Sequence, residues 1–173
     1  MNNSPNKLTA VVISAAVMVL FSVVPIINLV NMCCMGILFG GFIGVVYYSN
    51  QAKKTNLPVQ QKDALLIGVF GGFIAALIST GVNLAESLFS KTNPIAEMME
   101  VLSQVNGNIP PQFMDILDKF SQEFTKYGYS PTLTIITLIV NIVMYPLFGM
   151  LGSFIAFQIS KRKNMPPPVQ PNI

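Results

Sequence analysis

The chain has 173 residues, of which 52% are hydrophobic and 10% are charged. A soluble domain carries about 25% charged residues, so the composition indicates an apolar environment. The formal net charge of +3 is too small, and the basic residues are too scattered, to indicate a nucleic-acid partner. The chain has no histidine, which removes the commonest general base and the commonest metal ligand.

Four apolar segments are each long enough to cross the hydrocarbon core of a bilayer, which requires about 20 helical residues. They run over residues 8–30, 32–48, 64–84 and 133–159, and none contains Asp, Glu, Lys or Arg. The sequence therefore predicts an all-α fold, an integral membrane bundle of four transmembrane helices within residues 1–160. A basic, Pro-rich cytoplasmic tail is expected at 161–173.

The first segment has an alternative interpretation as a cleavable signal peptide. Its apolar stretch exceeds the usual length of about 7–15 residues, and no small-x-small cleavage site follows it. A lipoprotein signal would need a small residue before the cysteine, where Met32 stands. A retained first span is therefore the favoured interpretation.

The charges outside the four segments predict their orientation. One side carries seven basic residues, Lys7, Lys53, Lys54, Lys62, Lys161, Arg162 and Lys163, against a single acid, Asp63. The loop between the third and fourth spans carries three basic residues against six acidic ones. Short segments rich in Lys and Arg stay in the cytoplasm, so both termini are expected inside and the long loop outside.

The outer loop, at about residues 90–130, is expected to form an amphipathic helical hairpin. Asn93-Pro94 is typical of a helix start, Pro110-Pro111 opens a second helix, and Gly128 is the expected end. Apolar residues recur at helical spacing in Ile95, Met98, Met99, Leu102, Phe113, Ile116, Leu117, Phe120, Phe124 and Tyr127. This stripe can pack on the span ends or the membrane surface, or it can dock a partner protein or a second copy. The net-acidic polar face argues against recruitment to anionic lipid.

The pentapeptide Phe-Gly-Gly-Phe-Ile occurs at residues 39–43 and again at 70–74, and a looser copy follows at 152–156. Small residues four apart form one smooth stripe on a helix and let membrane helices approach closely. This pattern predicts helix packing of the glycine-zipper kind. The residues expected to pack are Gly36, Gly40, Gly44, Gly68, Gly72, Gly149 and Gly152.

Three asparagines, Asn28, Asn83 and Asn141, are the candidate polar contacts within or next to the spans. They can hydrogen-bond across helices, or they can line the pore of a transporter. Ion pathways usually need an acid, a base or a histidine, and none accompanies these residues within the spans. Contacts between helices are therefore favoured.

The only two cysteines, Cys33 and Cys34, are adjacent at the start of the second span. A structural zinc site wants four Cys or His ligands, so no metal site is expected. The favoured interpretation is two small residues at a tight turn. A vicinal or an intermolecular disulfide is the alternative. No catalytic residue and no cofactor is expected.

Several short motifs follow one another in a set order. They are Pro25-Ile26-Ile27-Asn28, Cys33-Cys34, Gly40-Gly41 with Tyr47-Tyr48, Asp63-Ala64 before Gly68 and Gly71-Gly72, the Pro-Pro outer segment and a final glycine-bearing span. This order resembles that of a group of small bacterial four-span membrane proteins with no assigned activity. The resemblance covers most of residues 8–160 and implies a location in the bacterial inner membrane. It implies no catalytic residue and no cofactor.

The sequence thus predicts a non-enzymatic, multi-pass protein of the inner (plasma) membrane with both termini in the cytoplasm. Its role would be structural, in assembly or in partner binding, through glycine-rich helix packing. The expected partners are membrane lipids and a second copy or another membrane protein. A small transporter or channel subunit is the alternative. A membrane enzyme would have to work without histidine, with its carboxylates confined to the outer loop and Asp63.

Overall fold

The computed structural model describes residues 6–23, 34–55, 57–89, 93–104 and 110–163. Within these ranges the chain forms six α-helices and no strand. They are α1 Lys7–Val23, α2 Met35–Lys54, α3 Gln61–Phe89, α4 Pro94–Gln104, α5 Pro111–Tyr127 and α6 Pro131–Lys163. The predicted all-α class is confirmed for this part of the chain.

The four helices that correspond to the predicted spans differ in length and apolar content. Two of them, α3 and α6, are long and apolar enough to cross a membrane. The described part of α1 has 17 residues, and α2 ends in a polar segment at 49–54, so neither meets the same criterion. The length and composition of α3 and α6 agree with the prediction, and the predicted bundle of four membrane-spanning helices is not confirmed.

The helix ends extend beyond the predicted apolar limits. Helix α2 continues past the predicted limit at 48 to Lys54, α3 extends beyond both ends of the predicted span 64–84, and α6 continues through Lys163 into the predicted tail. Gln51, Ala52, Lys53 and Lys54 have high helix propensity, and the two lysines also suit the negative end of the α2 dipole. Of the predicted span 32–48, residues 32–33 lie outside the described ranges and Cys34 precedes α2. Residues 24–30 of the first predicted span lie outside the described ranges.

The chain divides into two compact units. The four-helix unit takes α1, α2, residues 61–77 of α3 and residues 142–163 of α6. The hairpin unit takes residues 78–141, which include α4 and α5. Both α3 and α6 therefore contribute residues to each unit.

Small residues fill much of the interior of the four-helix unit. Its two clusters of buried residues are Ala10, Val11, Val45, Tyr48, Ala64, Ile67 and Ala156, and Ala15, Met18, Ile37, Ala75, Ala76 and Tyr145. Six of these thirteen residues are alanine, and Ser14, Ser49 and Ser153 are also buried. Helices with such small buried side chains can pack at short distances.

In the hairpin unit, α4 and α5 are capped at the expected residues. The Oδ1 atom of Asn93 accepts hydrogen bonds from the N–H groups of Ile95 and Ala96, at 3.1 and 3.2 Å. Its Nδ2 donates to the carbonyl oxygen and the hydroxyl of Ser121 on α5, at 3.3 and 3.1 Å. Gly128, with φ of 77°, ends α5. The predicted caps Asn93 and Gly128 are confirmed.

The start of α6 is held by Ser130 and by Glu123 of α5. The Ser130 hydroxyl accepts a hydrogen bond from the Leu133 N–H at 3.2 Å and donates to Glu123 Oε2 at 2.7 Å. Glu123 also accepts from the N–H of Thr132 at 3.0 Å and from its hydroxyl at 2.6 Å. These bonds, first from the Thr132 hydroxyl and then from the Ser130 hydroxyl, lower the pKa of Glu123. The first turn of α6 therefore depends on a carboxylate.

We expect amide protection at the start of α6 to depend on pH through Glu123. Because its pKa is lowered in the folded chain, the stabilisation is complete above the ordinary carboxyl value and is lost as pH falls through the lowered value. Hydrogen exchange over residues 130–134, corrected for the intrinsic rate at each pH, measures this. Glu123→Gln should remove the pH dependence. An unchanged pH profile in that variant would contradict the assignment.

Candidate functional site

The first Phe-Gly-Gly-Phe-Ile copy presents its two glycines to two different helices. Adjacent residues on an α-helix point about 100° apart. On α2, Gly40 lies against Met18 and Ser14 of α1, whereas Gly41 lies against Gly149 of α6. One glycine doublet therefore opens two neighbouring faces of α2.

The second copy repeats this arrangement on α3. A Cβ on Gly71 would lie 2.7 Å from the hydroxyl oxygen of Ser14 on α1. A Cβ on Gly72 would lie 2.5 Å from the carbonyl oxygen of Tyr145 and 2.6 Å from the nitrogen of Pro146, both on α6. In the four-helix unit, α2 and α3 thus each contact both α1 and α6.

All seven of the glycines predicted to pack lie at contacts between helices of the four-helix unit. They are Gly36, Gly40, Gly44, Gly68, Gly72, Gly149 and Gly152. Gly68 and Gly149 oppose each other, since a Cβ on Gly149 would lie 2.6 Å from the carbonyl oxygen of Gly68. Gly81, also on α3 but in the hairpin unit, has nothing within 4 Å of an added Cβ. On α3, Gly68 and Gly72 therefore allow α6 to approach closely, and Gly81 has no such role in the hairpin unit.

Sequence reasoning missed Gly41 and Gly71, because a spacing of four selects one helix face and each of these residues lies on a second face. The doubled glycine itself was the available signal. The looser third copy, on α6, presents both Gly152 and Ser153 to α2, and Ser153 also lies against Gly68 of α3. Gly152 lies against the carbonyl of Leu38, and the hydroxyl of Ser153 donates to the carbonyl of Gly41 at 3.1 Å.

The first phenylalanine of each pentapeptide lies largely outside these contacts, whereas Phe42 is partly buried against the interior of the unit. Phe39 and Phe70 are each 54% exposed, although their neighbouring glycines are buried. Along α6 the exposed large apolar residues are Leu133, Ile135, Ile136, Ile139, Val140, Val143, Met144, Leu147, Leu151, Phe154, Ile155 and Ile159. The small side chains are inside, and a large share of the bulky apolar side chains is outside.

Polar side chains join helix ends in the four-helix unit. Lys7 Nζ at the start of α1 lies 2.7 Å from Asp63 Oδ1 in the first turn of α3. The hydroxyl of Tyr48 on α2 donates to Asp63 Oδ2 at 3.1 Å. Hydrogen bonds to an ionised carboxylate are among the stronger ones, so this cluster joins three helices.

Of the three candidate asparagines, two lie in the described ranges, both in the hairpin unit. Asn141 Nδ2 donates to the hydroxyl of Thr80 at 3.0 Å, an interhelical bond of the predicted type. Asn83 lines a cleft of about 210 Å³ between α3 and α6, with Thr80, Leu84, Ser87, Leu133, Thr134 and Thr137. The third, Asn28, lies outside the described residues.

The cysteine pair falls at the edge of the described chain. Cys34 precedes α2 with φ of 55° and no hydrogen bond from its side chain to the helix. A left-handed non-glycine residue marks a turn, and the Cys34 thiol is free. Cys33 lies outside the described residues.

Chemically, the described part of the chain offers packing and hydrogen bonding. Among its residues, no group of three or more His, Cys, Asp or Glu side chains is placed to hold a metal ion. No family model, curated protein or solved structure matches the chain.

We expect Gly72→Ala to destabilise the four-helix unit and Gly81→Ala to leave it unchanged or stabilise it. At Gly72 the new methyl group meets backbone atoms of α6 and forces a shift, which typically costs about 1–3 kcal/mol. At Gly81 the methyl meets nothing, and alanine favours the helix by up to about 1 kcal/mol. Unfolding in detergent, followed by circular dichroism, compares the two variants. Equal effects would show that the Gly72 contact is not required.

Proposed function

We propose that this chain is an integral membrane protein in which α1, α2, α3 and α6 cross the bilayer. Its role is structural, in assembly or in partner binding, and it is exercised through packed helices rather than through catalysis. The exposed apolar faces of α3 and α6 would meet lipid and a second copy or another membrane protein. The proposal assigns no cofactor, metal or catalytic residue.

The observation that carries this proposal is the distribution of side-chain size in the four-helix unit. A surface helix in water turns its large apolar residues inward and its polar residues outward. Here glycine, alanine and serine are inside while bulky aliphatic and aromatic residues face out. In the apolar 18-residue stretch of α6 only 17% is buried, whereas the core helix of a soluble protein is mostly buried. Lipid is the solvent that favours such a surface.

The cluster around Asp63 supports the proposed orientation. The ion pair with Lys7 brings the starts of α1 and α3 together, and Tyr48 adds the last part of α2. Basic residues are concentrated in the sequence around these helix ends. The proposal therefore places this end, with both termini, on the cytoplasmic side of a bacterial inner membrane and the α4–α5 hairpin outside.

The orientation is tested by labelling single cysteines in intact cells, with Cys33 and Cys34 replaced by alanine. Gln122 on α5 and Lys54 at the end of α2 are exposed, so each accepts a cysteine without loss of packing. We expect a membrane-impermeant maleimide to label Gln122→Cys in intact cells and Lys54→Cys only after permeabilisation. The reverse pattern would overturn the orientation. Release of the protein by alkaline carbonate would overturn membrane integration.

A second function, transport of small neutral solutes, is favoured by the cleft that Asn83 lines. Its hydrogen-bonding groups come from Thr80, Asn83, Ser87, Thr134 and Thr137. Two of these hydroxyls are already bonded to helix carbonyls, Ser87 to Asn83 at 2.9 Å and Thr134 to Ser130 at 2.9 Å. Not every hydroxyl that lines the cleft can therefore donate to a solute. For this reason transport is the second candidate function.

Glycerol and urea permeation into proteoliposomes separates the two functions. Under the first function we expect the permeability of protein-containing liposomes to equal that of empty ones. Under the second, permeability rises with protein and falls in Asn83→Leu, because the substitution removes the amide and fills the cleft. Gln122→Leu, on the exposed face of α5, is the matched control. Flux that is lost only in Asn83→Leu would replace the first proposal with the second.

A further inference from the structure

Exposed apolar residues remain on the hairpin after α4 and α5 have packed on each other. Ile95, Leu117 and Phe124 are buried. Five apolar or aromatic residues stay exposed, and together they are named here the hairpin face: Met98, Val101, Phe113, Ile116 and Tyr127. An amphipathic helix pair that buries only part of its apolar stripe has a second apolar surface to cover.

The hairpin face lies on one side of the helix pair. The bond from Asn93, at the start of α4, to Ser121, late in α5, shows that the two helices run in opposite directions. Viewed along each helix axis from its N-terminus, Met98 is rotated by about 60° from the buried Ile95, and Ile116 by about 100° from the buried Leu117. Both rotations have the same sense. On antiparallel helices a common rotational offset points to the same side of the pair.

The hairpin lies close to the outer ends of α3 and α6. Residues 90–93 connect α3 to α4, and 128–130 connect α5 to α6. The bonds from Ser130 and Thr132 to Glu123 hold the last turns of α5 beside the start of α6. If α3 and α6 cross a bilayer, the hairpin is thereby kept at the level where the hydrocarbon ends.

Apolar surface continues from the span ends toward the hairpin. Phe89, the last residue of α3, is 87% exposed, and Leu88 and Ile135 are also exposed. At the end of α5, Lys126 Nζ lies 5.0 Å from the centre of the Tyr127 ring. An exposed tyrosine beside a lysine is typical of the membrane–water interface.

We propose that the hairpin face inserts into the outer surface of the bilayer, among neutral, zwitterionic headgroups. The inference rests on the proposed membrane location. Charge selects the class of lipid: α4 and α5 together carry five acidic residues and two basic ones. A net-acidic segment is repelled by anionic headgroups, so its apolar side chains, not its charges, attach it to the membrane.

Single tryptophans test the inference, because the chain has none of its own. Phe113→Trp reports on the hairpin face, Gln122→Trp on the opposite polar side of α5, and Phe73→Trp on an exposed position of α3 within its apolar segment. Each variant is reconstituted in phosphatidylcholine liposomes containing lipids brominated on the acyl chains. Iodide quenches tryptophans that face water. Ile116→Trp replaces Phe113→Trp if the latter has reduced helix content.

We expect brominated lipid to quench Phe113→Trp at least about twofold more than Gln122→Trp, because interfacial helices bury their apolar face about 5–10 Å deep. Iodide should give the reverse order. Lipid quenching of Phe73→Trp without that of Phe113→Trp would overturn the hairpin proposal and leave the membrane proposal intact. Absence of lipid quenching at Phe73→Trp would overturn both. A Phe113→Trp shielded from both quenchers would replace lipid with a protein contact.

Discussion

Adjacent glycines on α2 and α3 are the constraint on which the four-helix unit depends. Ordinary helix pairs keep their axes about 8–10 Å apart because side chains fill the space between them. Here a Cβ on Gly72 would lie 2.5 Å from a carbonyl oxygen of α6, whereas carbon atoms in contact are normally about 3.5–4.0 Å from their neighbours. The atoms that would clash belong to the backbone and cannot rotate away. A second glycine about 100° away on each helix meets side-chain atoms of α1 instead, those of Met18 at Gly40 and of Ser14 at Gly71. Helices α2 and α3 therefore each pack against α1 and α6 at once.

Close approach also changes the kind of bond available between helices. Carbonyl oxygens near a glycine are accessible to donors on the next helix, and the Ser153 hydroxyl uses that of Gly41. In water, a mid-helix glycine costs about 1 kcal/mol relative to alanine, and large apolar residues would give more from burial. In lipid, burial of large side chains has no such advantage because the solvent is equally apolar. Glycines that would destabilise these helices in water therefore favour helix packing in a membrane.

Elements with local signals could be predicted from the sequence, and contacts between distant segments could not. The caps at Asn93 and Gly128 follow from the chemistry of single residues, and the structure confirms both. The interior contacts of Gly41 and Gly71 did not follow from periodicity, because periodicity describes one helix and not its neighbours. In the same way, nothing near Asp63 in the sequence announces that its partner is Lys7, 56 residues away. Gly81 lies on the same helix as Gly72 but outside any glycine doublet, and an added Cβ there would have nothing within 4 Å.

The pairing of Gly72 with Pro146 shows that one helix can determine where another tolerates a break in its hydrogen bonds. Pro146, inside α6, has no N–H to donate and its ring crowds the preceding turn. Neighbouring helices must accommodate such a site in a membrane segment. On one side α3 presents Gly72, which leaves room for the backbone at Tyr145 and Pro146. On another side α1 presents Ser22, whose hydroxyl lies 2.6 Å from that of Tyr145. Gly72 thus accommodates the backbone at the proline, and Ser22 holds the side chain of the preceding tyrosine, so the surroundings of Pro146 are a property of the four-helix unit and not of α6 alone.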